Sequence, residues 1–169
     1  MSELNAVEIW KAAKHGLDGW PDILRWAQEG TPHDRIDEPD LQRMKWYGIF
    51  WRKHDRDRYM IRIRIPGCEM TADQARTVAF VAYEAGHEIV DVTTRGNVQV
   101  QGLPIRKVPG VIAALERAGL TSKQTGFDNI RNVTSHALSG VDPDELIDTR
   151  ALARAVTDLF VGSRELSDL

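Results

Sequence analysis

The chain has 169 residues, 28% of them charged and 42% hydrophobic, with a formal net charge of -3. That balance suits one globular domain, alone or with an appended segment, and excludes the disordered and collagen-like classes. No apolar run approaches the ~18 residues of a membrane span and the start is acidic, unlike a secretory signal, so no membrane partner and a cytoplasmic location are expected.

Charge is segregated along the chain. Residues 1–42 hold four basic against nine acidic side chains, residues 43–64 hold eight against two, and residues 134–169 hold three against seven. Sixteen of the 22 basic residues are arginine, whose planar fork suits oxyanions and carboxylates. The single cysteine, Cys68, permits no internal disulfide and by itself no zinc or iron-sulfur site.

In chain order, Ala6 to Gln28 carries two short helical patterns broken at Gly16, Gly19 and Pro21. Gly30 to Asp40, with Pro32 and Pro39, reads as extended. Residues 1–42 are therefore expected to form a helical arm outside the core. A strand follows from Tyr59 to Ile65, with Tyr59, Ile61, Ile63 and Ile65 on one face and Arg58, Met60, Arg62 and Arg64 on the other. Thr71 and Gln74 open a helix with Ala75, Val78, Ala79, Ala82 and Ala85 at helical spacing, ended by Gly86.

A second strand is expected over residues 89–93 and a third over 97–101, joined by a turn at Arg95-Gly96, with Asn97, Gln99 and Gln101 opposite Val98 and Val100. A helix with Pro109 in its first turn then places Val108, Val111, Ile112 and Leu115 on one side. After an Asn- and Ser-rich loop, a last helix carries Leu152, Ala155, Val156, Leu159 and Phe160. The order strand, helix, strand, strand, helix predicts an α+β, ferredoxin-like layer over residues 43–133, with one polar sheet face, preceded by the arm and followed by a segment over 134–169.

The sequence has no P-loop, GxGxxG, HExxH, CxxC or GxSxG motif. Its five histidines show no metal-ligand spacing. Three cationic spots stand out: Arg62 with Arg64, Arg95, and Arg131. Converging, they would bind an anion; apart, the first pair is a solvated strand face and the others are arginines bonding loop carbonyls. Trp46, Tyr47, Phe50 and Trp51, interleaved with Arg43, Lys45, Arg52 and Lys53, offer a nucleic-acid alternative, which the acidic remainder of the chain disfavours; the other reading of the stretch is a strand edge whose aromatics pack in the core.

Six runs of residues then gain a common meaning. Lys45 to Phe50, Tyr59 to Gly67, Asp91 to Gln99, Gly119 to Ser122, Asp128 to Asn132 and Gly140 to Pro143 resemble, in order and spacing, the amino-terminal part of ferredoxin-nitrite reductases and their sulfite reductase relatives. The resemblance implies reduction of nitrite to ammonium, or of sulfite to sulfide, with sirohaem and a 4Fe-4S cluster as cofactors and ferredoxin or another electron donor as partner. It implies that Arg62 and Arg131 bind the substrate anion. It further implies that Arg64, Thr94, Arg95, Asn97, Gln99, Gln101 and Asn132 contact the sirohaem.

Gln101 departs from the basic residue or histidine that the family often has there. The family's lysine pair and cluster cysteines have no counterpart before Leu169, so this chain alone is expected to be inactive and to hold no cofactor, as one portion of a longer enzyme. A free-standing half-domain binding a tetrapyrrole, an anion or a partner chain is the second reading. A face left uncovered in either case favours self-association, so homodimerisation is expected.

Overall fold

The computed structural model describes residues 5–166. Three helices precede the sheet: α1 (Ala6–Ala13), α2 (Trp20–Glu29) and α3 (Glu38–Met44). Asn5 caps α1 by accepting from the Glu8 N–H at 3.1 Å. Pro21 and Pro39 lie in the first turns of α2 and α3, where the missing N–H removes no helical bond. The extended reading of residues 30–40 is thereby corrected at its end, where Asp37 is already the N-cap of α3.

The arm is also more than an appendage. Ile23, Trp26 and Ile36 are buried in the same cluster as Ile61 and Val100, because Ile23 and Trp26 share one face of α2. Arg106 fastens the end of α2, donating to the carbonyls of Gln28 at 3.0 Å and Glu29 at 2.8 Å. Gly30, at φ 69°, has no Cβ to obstruct that guanidinium.

Four antiparallel strands form the sheet, β1 (Ile49–Trp51), β2 (Arg58–Ile63), β3 (Val90–Val92) and β4 (Val98–Pro104), in the spatial order β1-β2-β4-β3. β1 is too short for periodicity to register, but it agrees with the alternative reading of the Trp46–Trp51 stretch as a strand edge with packed aromatics. Ile49 pairs with Ile61, Ile61 with Val100, and Val100 with Val90, so one face is aliphatic from edge to edge. Tyr59 pairs with Leu103 while Ile61 pairs with Val100, so β4 carries an extra residue near Gly102, at φ 79°. This bulge lets both Val98 and Val100 before it and Leu103 after it reach the core.

Two helices cover that face: α4 (Ala72–Ala85) and α5 (Val108–Arg117). The capping box on α4 is present, with the Thr71 N–H donating to Gln74 Oε1 at 2.9 Å and the Gln74 N–H to Thr71 Oγ1 at 3.2 Å. Val78, Val81, Ala82 and Ala85 are its buried residues, so Val81 belongs to the core face and Ala75 and Ala79 do not. On α5 the buried side chains are Val108, Val111, Ile112 and Leu115, matching the periodicity.

Tyr59 is 2% exposed and its hydroxyl has no hydrogen-bond partner. Burial, with a smaller contribution from the Asp57 charge, pushes its phenol up to about 12. The native state therefore favours the neutral phenol: the associated stability is fully present below the unfolded value of about 10 and is lost as pH rises through about 12. Tyr59→Phe removes that loss. In urea unfolding, the variant should gain about 2 kcal/mol on the wild type between pH ~9 and ~12, and a constant difference across that range would refute the assignment.

On the last helix, α6 (Arg150–Phe160), Phe160 alone of the expected apolar face is buried. The helix buries Ala153, Thr157 and Phe160, while Leu152, Val156 and Leu159 are 58%, 38% and 69% exposed. Phe160 is needed inside because its ring lies 4.8 Å from the buried guanidinium of Arg64, and this contact sets the rotation of the helix. The exposed stripe borders an open groove of about 660 Å³ that Leu146, Ile147, Leu152 and Val156 help to line.

Candidate functional site

The second sheet face begins from the alternation of β2. Met60 and Arg62 lie opposite the aliphatic positions, and Arg62 pairs in register with Gln99, which pairs in turn with Asp91. Phe50 of β1 lies on this side, its ring centroid 4.5 Å from the Arg62 guanidinium. Arg62 Nη1 donates to the Thr125 carbonyl at 2.9 Å. The Gln99 amide, turned with its oxygen inward, accepts from Arg62 Nε and Nη2 at 3.2 Å each.

Two loops extend the face. Asn97 is 1% exposed and donates to the Arg131 carbonyl at 3.1 Å, while Asn132 donates to the carbonyls of Arg95 at 2.8 Å and Ile65 at 2.9 Å. Each loop thus holds the backbone of the other loop's arginine, and the side chains of Arg95 and Arg131 remain exposed. Between them lies an open depression of about 350 Å³ lined by Arg95, Phe127, Asp128, Asn129, Arg131 and Asn132. Gly96, at φ 70°, makes the turn possible, and a Cβ there would fall 2.2 Å from Cys68 Sγ.

Positive charge predominates on this face. The Arg62 guanidinium is held below its ordinary range first by burial and then by repulsion from Arg131, Arg52 and Arg95. Among the described residues, no carboxylate forms an ion pair with any of these four arginines. Asp128, at the rim, is bound to Lys11 at 2.5 Å. The Oδ1 atoms of Asn97 and Asn132 are buried without partners. A face whose guanidinium forks are paired with no carboxylate, its nearest acids Asp128 and Asp91 being bonded to Lys11 and Gln101, is suited to a polycarboxylate or a small oxyanion.

The remaining expected site residues are placed differently. Arg64 is 0% exposed, covered by the segment 121–125 and Phe160, and donates through Nη2 to the carbonyls of Gln124 at 2.7 Å and Lys123 at 3.1 Å. Gln101 turns to the sheet edge and donates to Asp91 Oδ2 at 2.7 Å. Thr94 is exposed on the hairpin beside Arg95. Phe50 and the Thr125 carbonyl are contributors that sequence reasoning missed; the parity of Phe50 after Gly48 was the available signal.

The aromatic residues of the nucleic-acid alternative are not free to stack on bases. Trp46 and Tyr47 are 3% and 5% exposed, Phe50 lies beneath Arg62, and Trp51 stacks on His33 with ring centroids 4.7 Å apart. Among the described residues, no group of three His, Cys, Asp or Glu side chains comes together to hold a metal ion.

Residues 51–118 match the family model described as the nitrite/sulfite reductase ferredoxin-like half domain. The chain is 38% identical over 166 residues to the ferredoxin–nitrite reductase of Leptolyngbya laminosa, covering 97% of this chain and 32% of that protein. It is 37% identical over 178 residues to the chloroplastic ferredoxin–nitrite reductase of Oryza sativa subsp. japonica, covering 98% and 30%. The structure of the Mycobacterium tuberculosis NirA protein superposes with a TM-score of 0.90 at 27% identity, covering 98% of this chain and 33% of that one. The chain thus spans about a third of the length of the relatives it matches. Residues 51–118 thus carry the ferredoxin-like half domain of the nitrite and sulfite reductases, within an α+β chain that is similar along nearly its whole length to part of a ferredoxin–nitrite reductase.

Proposed function

We propose that this chain supplies the anion-binding wall of a sirohaem-dependent nitrite reductase. The observation that carries the reading is the convergence of Arg62, Arg95 and Arg131 on one face without a neutralising carboxylate among the described residues. Arg62 and Arg131 hold nitrite; Arg95 and Gln99 hold the carboxylates and edge of the macrocycle, with Thr94 and Gln101 at its margin, while Asn97 and Asn132, whose amides are spent on loop carbonyls, act by fixing the loops that carry Arg95 and Arg131. Sirohaem and its 4Fe-4S cluster, when bound, supply the redox chemistry of a six-electron reduction to ammonium.

Within that division, the chain's residues do electrostatic work. Arg62 is fixed by the Thr125 carbonyl, Gln99 and the Phe50 ring, so its charge is oriented before any anion arrives. Oriented cations stabilise negative charge that grows on departing oxygens without reorganising in the process. Arg64 acts at one remove, holding the segment whose Thr125 carbonyl orients Arg62. The described residues assemble no ligand set for iron or a cluster, so those ligands are assigned to other parts of a family-length enzyme, as are ferredoxin docking and turnover. We place that enzyme in the cytoplasm; no described helix is long and apolar enough to cross a membrane.

The test is fluorescence titration of the purified chain with uroporphyrin, a metal-free tetrapyrrole bearing carboxylates around its ring. Saturable binding at low salt that weakens as salt rises is expected, and absence of binding at low salt would overturn the reading.

The α6 stripe bears on the isolated chain's oligomeric state. Leu152, Val156 and Leu159 are exposed on one side, with Ala151 and Ala155 beside them allowing close helix approach to a second copy. Light scattering should therefore show concentration-dependent dimers that Leu152→Lys with Val156→Lys abolishes. A monomer at every concentration would exclude this contact.

A further inference from the structure

Arg52 belongs to the basic stretch that the functional reading so far leaves aside. It follows β1, in which Ile49 and Trp51 pair with Ile61 and Tyr59 of the core while Phe50 lies against the Arg62 guanidinium. Continuing this alternation by one residue brings Arg52 to the side of Phe50 and Arg62.

The hairpin that follows leaves Arg52 without a local counter-charge. Asp55 Oδ2 lies 3.3 Å from His87 Nε2, Asp57 Oδ1 lies 3.1 Å from His33 Nδ1, and Arg58 donates to the Gly102 carbonyl at 2.9 Å. Both acids of the hairpin are thus engaged by side chains from outside it. Arg52 is exposed, and among the described residues its side chain makes no hydrogen bond or ion pair.

We propose that Arg52 is a fourth anion-binding arginine of this face, taking a peripheral carboxylate of a bound polycarboxylate tetrapyrrole at the β1 end of the site. This deepens the reading given under Proposed function and rests on it. Arg62 and Arg131 would serve the small anion near the middle of the face, and Arg95 would grip the ring from the opposite hairpin. The mutual repulsion of Arg52 and Arg62 agrees with this placement: a cluster of like charges with no acid among them is relieved when an anion enters. The competing account is a solvated arginine on a charged hairpin. It predicts no more effect from Arg52 than from its neighbour Lys53, which the same alternation sends the other way.

The experiment is uroporphyrin fluorescence titration of the full chain at low salt, comparing the wild type with Arg52→Gln, Arg52→Lys, Lys53→Gln and Arg62→Gln. Matching thermal melts for the two exposed positions establish that the fold is retained. Arg52→Gln should weaken binding about tenfold, Arg52→Lys should restore part of it, and Lys53→Gln should stay within about twofold. The Arg52→Gln defect should shrink with coproporphyrin, which bears fewer carboxylates. Equal losses in Arg52→Gln and Lys53→Gln would overturn the proposal, as would an undiminished affinity in Arg52→Gln when Arg62→Gln has lost it. A wild type that does not bind uroporphyrin would instead overturn the underlying reading, and this assignment with it.

Discussion

Arg64→Ala should lower the free energy of unfolding by about 3 kcal/mol, and Arg64→Met by about 1 kcal/mol. Arg64 is fully enclosed, and its Nη2 serves two carbonyls of the segment that follows Thr121. Truncation to alanine leaves those carbonyls without their donor, opens a cavity under Phe160 and removes a cation from the face of that ring. The loss is limited by an opposing effect. Nε and Nη1 have no partners, and burial alone pushes the guanidinium down to about 10, so the native state also bears the cost of an enclosed cation without a counter-charge. Methionine keeps most of the volume and removes that cost, and its variant is accordingly the milder one. Urea unfolding of both variants checks the order; a methionine variant as unstable as alanine would show that the carbonyl bonds dominate and that the charge is harmless where it lies.

How much of this was legible in the sequence depended on how many residues shared one pattern. Helix α5 could be read in full, since Val108, Val111, Ile112 and Leu115 all obey one period and Pro109 marks the start. Helix α6 could not, because its more conspicuous apolar stripe faces solvent and its buried face includes Ala153 and Thr157, selected by a contact with Arg64 that is 96 residues away in sequence. Strand β2 displayed its two faces openly, yet the fates of Arg62 and Arg64 diverged. Both stand at equivalent parity, but Lys123, Gln124 and Phe160 close over Arg64, whereas the same segment meets Arg62 at Thr125 and leaves it half-buried. Local alternation gives the face a side chain occupies and says nothing of which segment returns to cover it. The reciprocal clamp between Asn97 and Asn132 was hidden for the same reason, since each partner is a carbonyl more than thirty residues away.

In a family-length reductase carrying this sequence, Arg131→Gln should reduce kcat/KM for nitrite about a hundredfold while changing stability by less than about 0.5 kcal/mol. Arg131 contributes its backbone carbonyl to Asn97, which glutamine retains, and its exposed side chain supports no other described element. Arg62→Gln should lose as much activity and also about 1–2 kcal/mol of stability, because its guanidinium is half-buried and bonds the Thr125 carbonyl over the Phe50 ring. Arg131→Lys should recover part of the loss, since a point charge remains but the two-pronged geometry does not. Turnover paired with urea unfolding separates these outcomes. Activity lost without stability at Arg131, and both lost at Arg62, would mark two cations facing one anion from differently built supports. Parallel losses of activity and stability at Arg131 would instead make it a loop-bonding residue, and the anion site would then have to be built from Arg62 and Arg95.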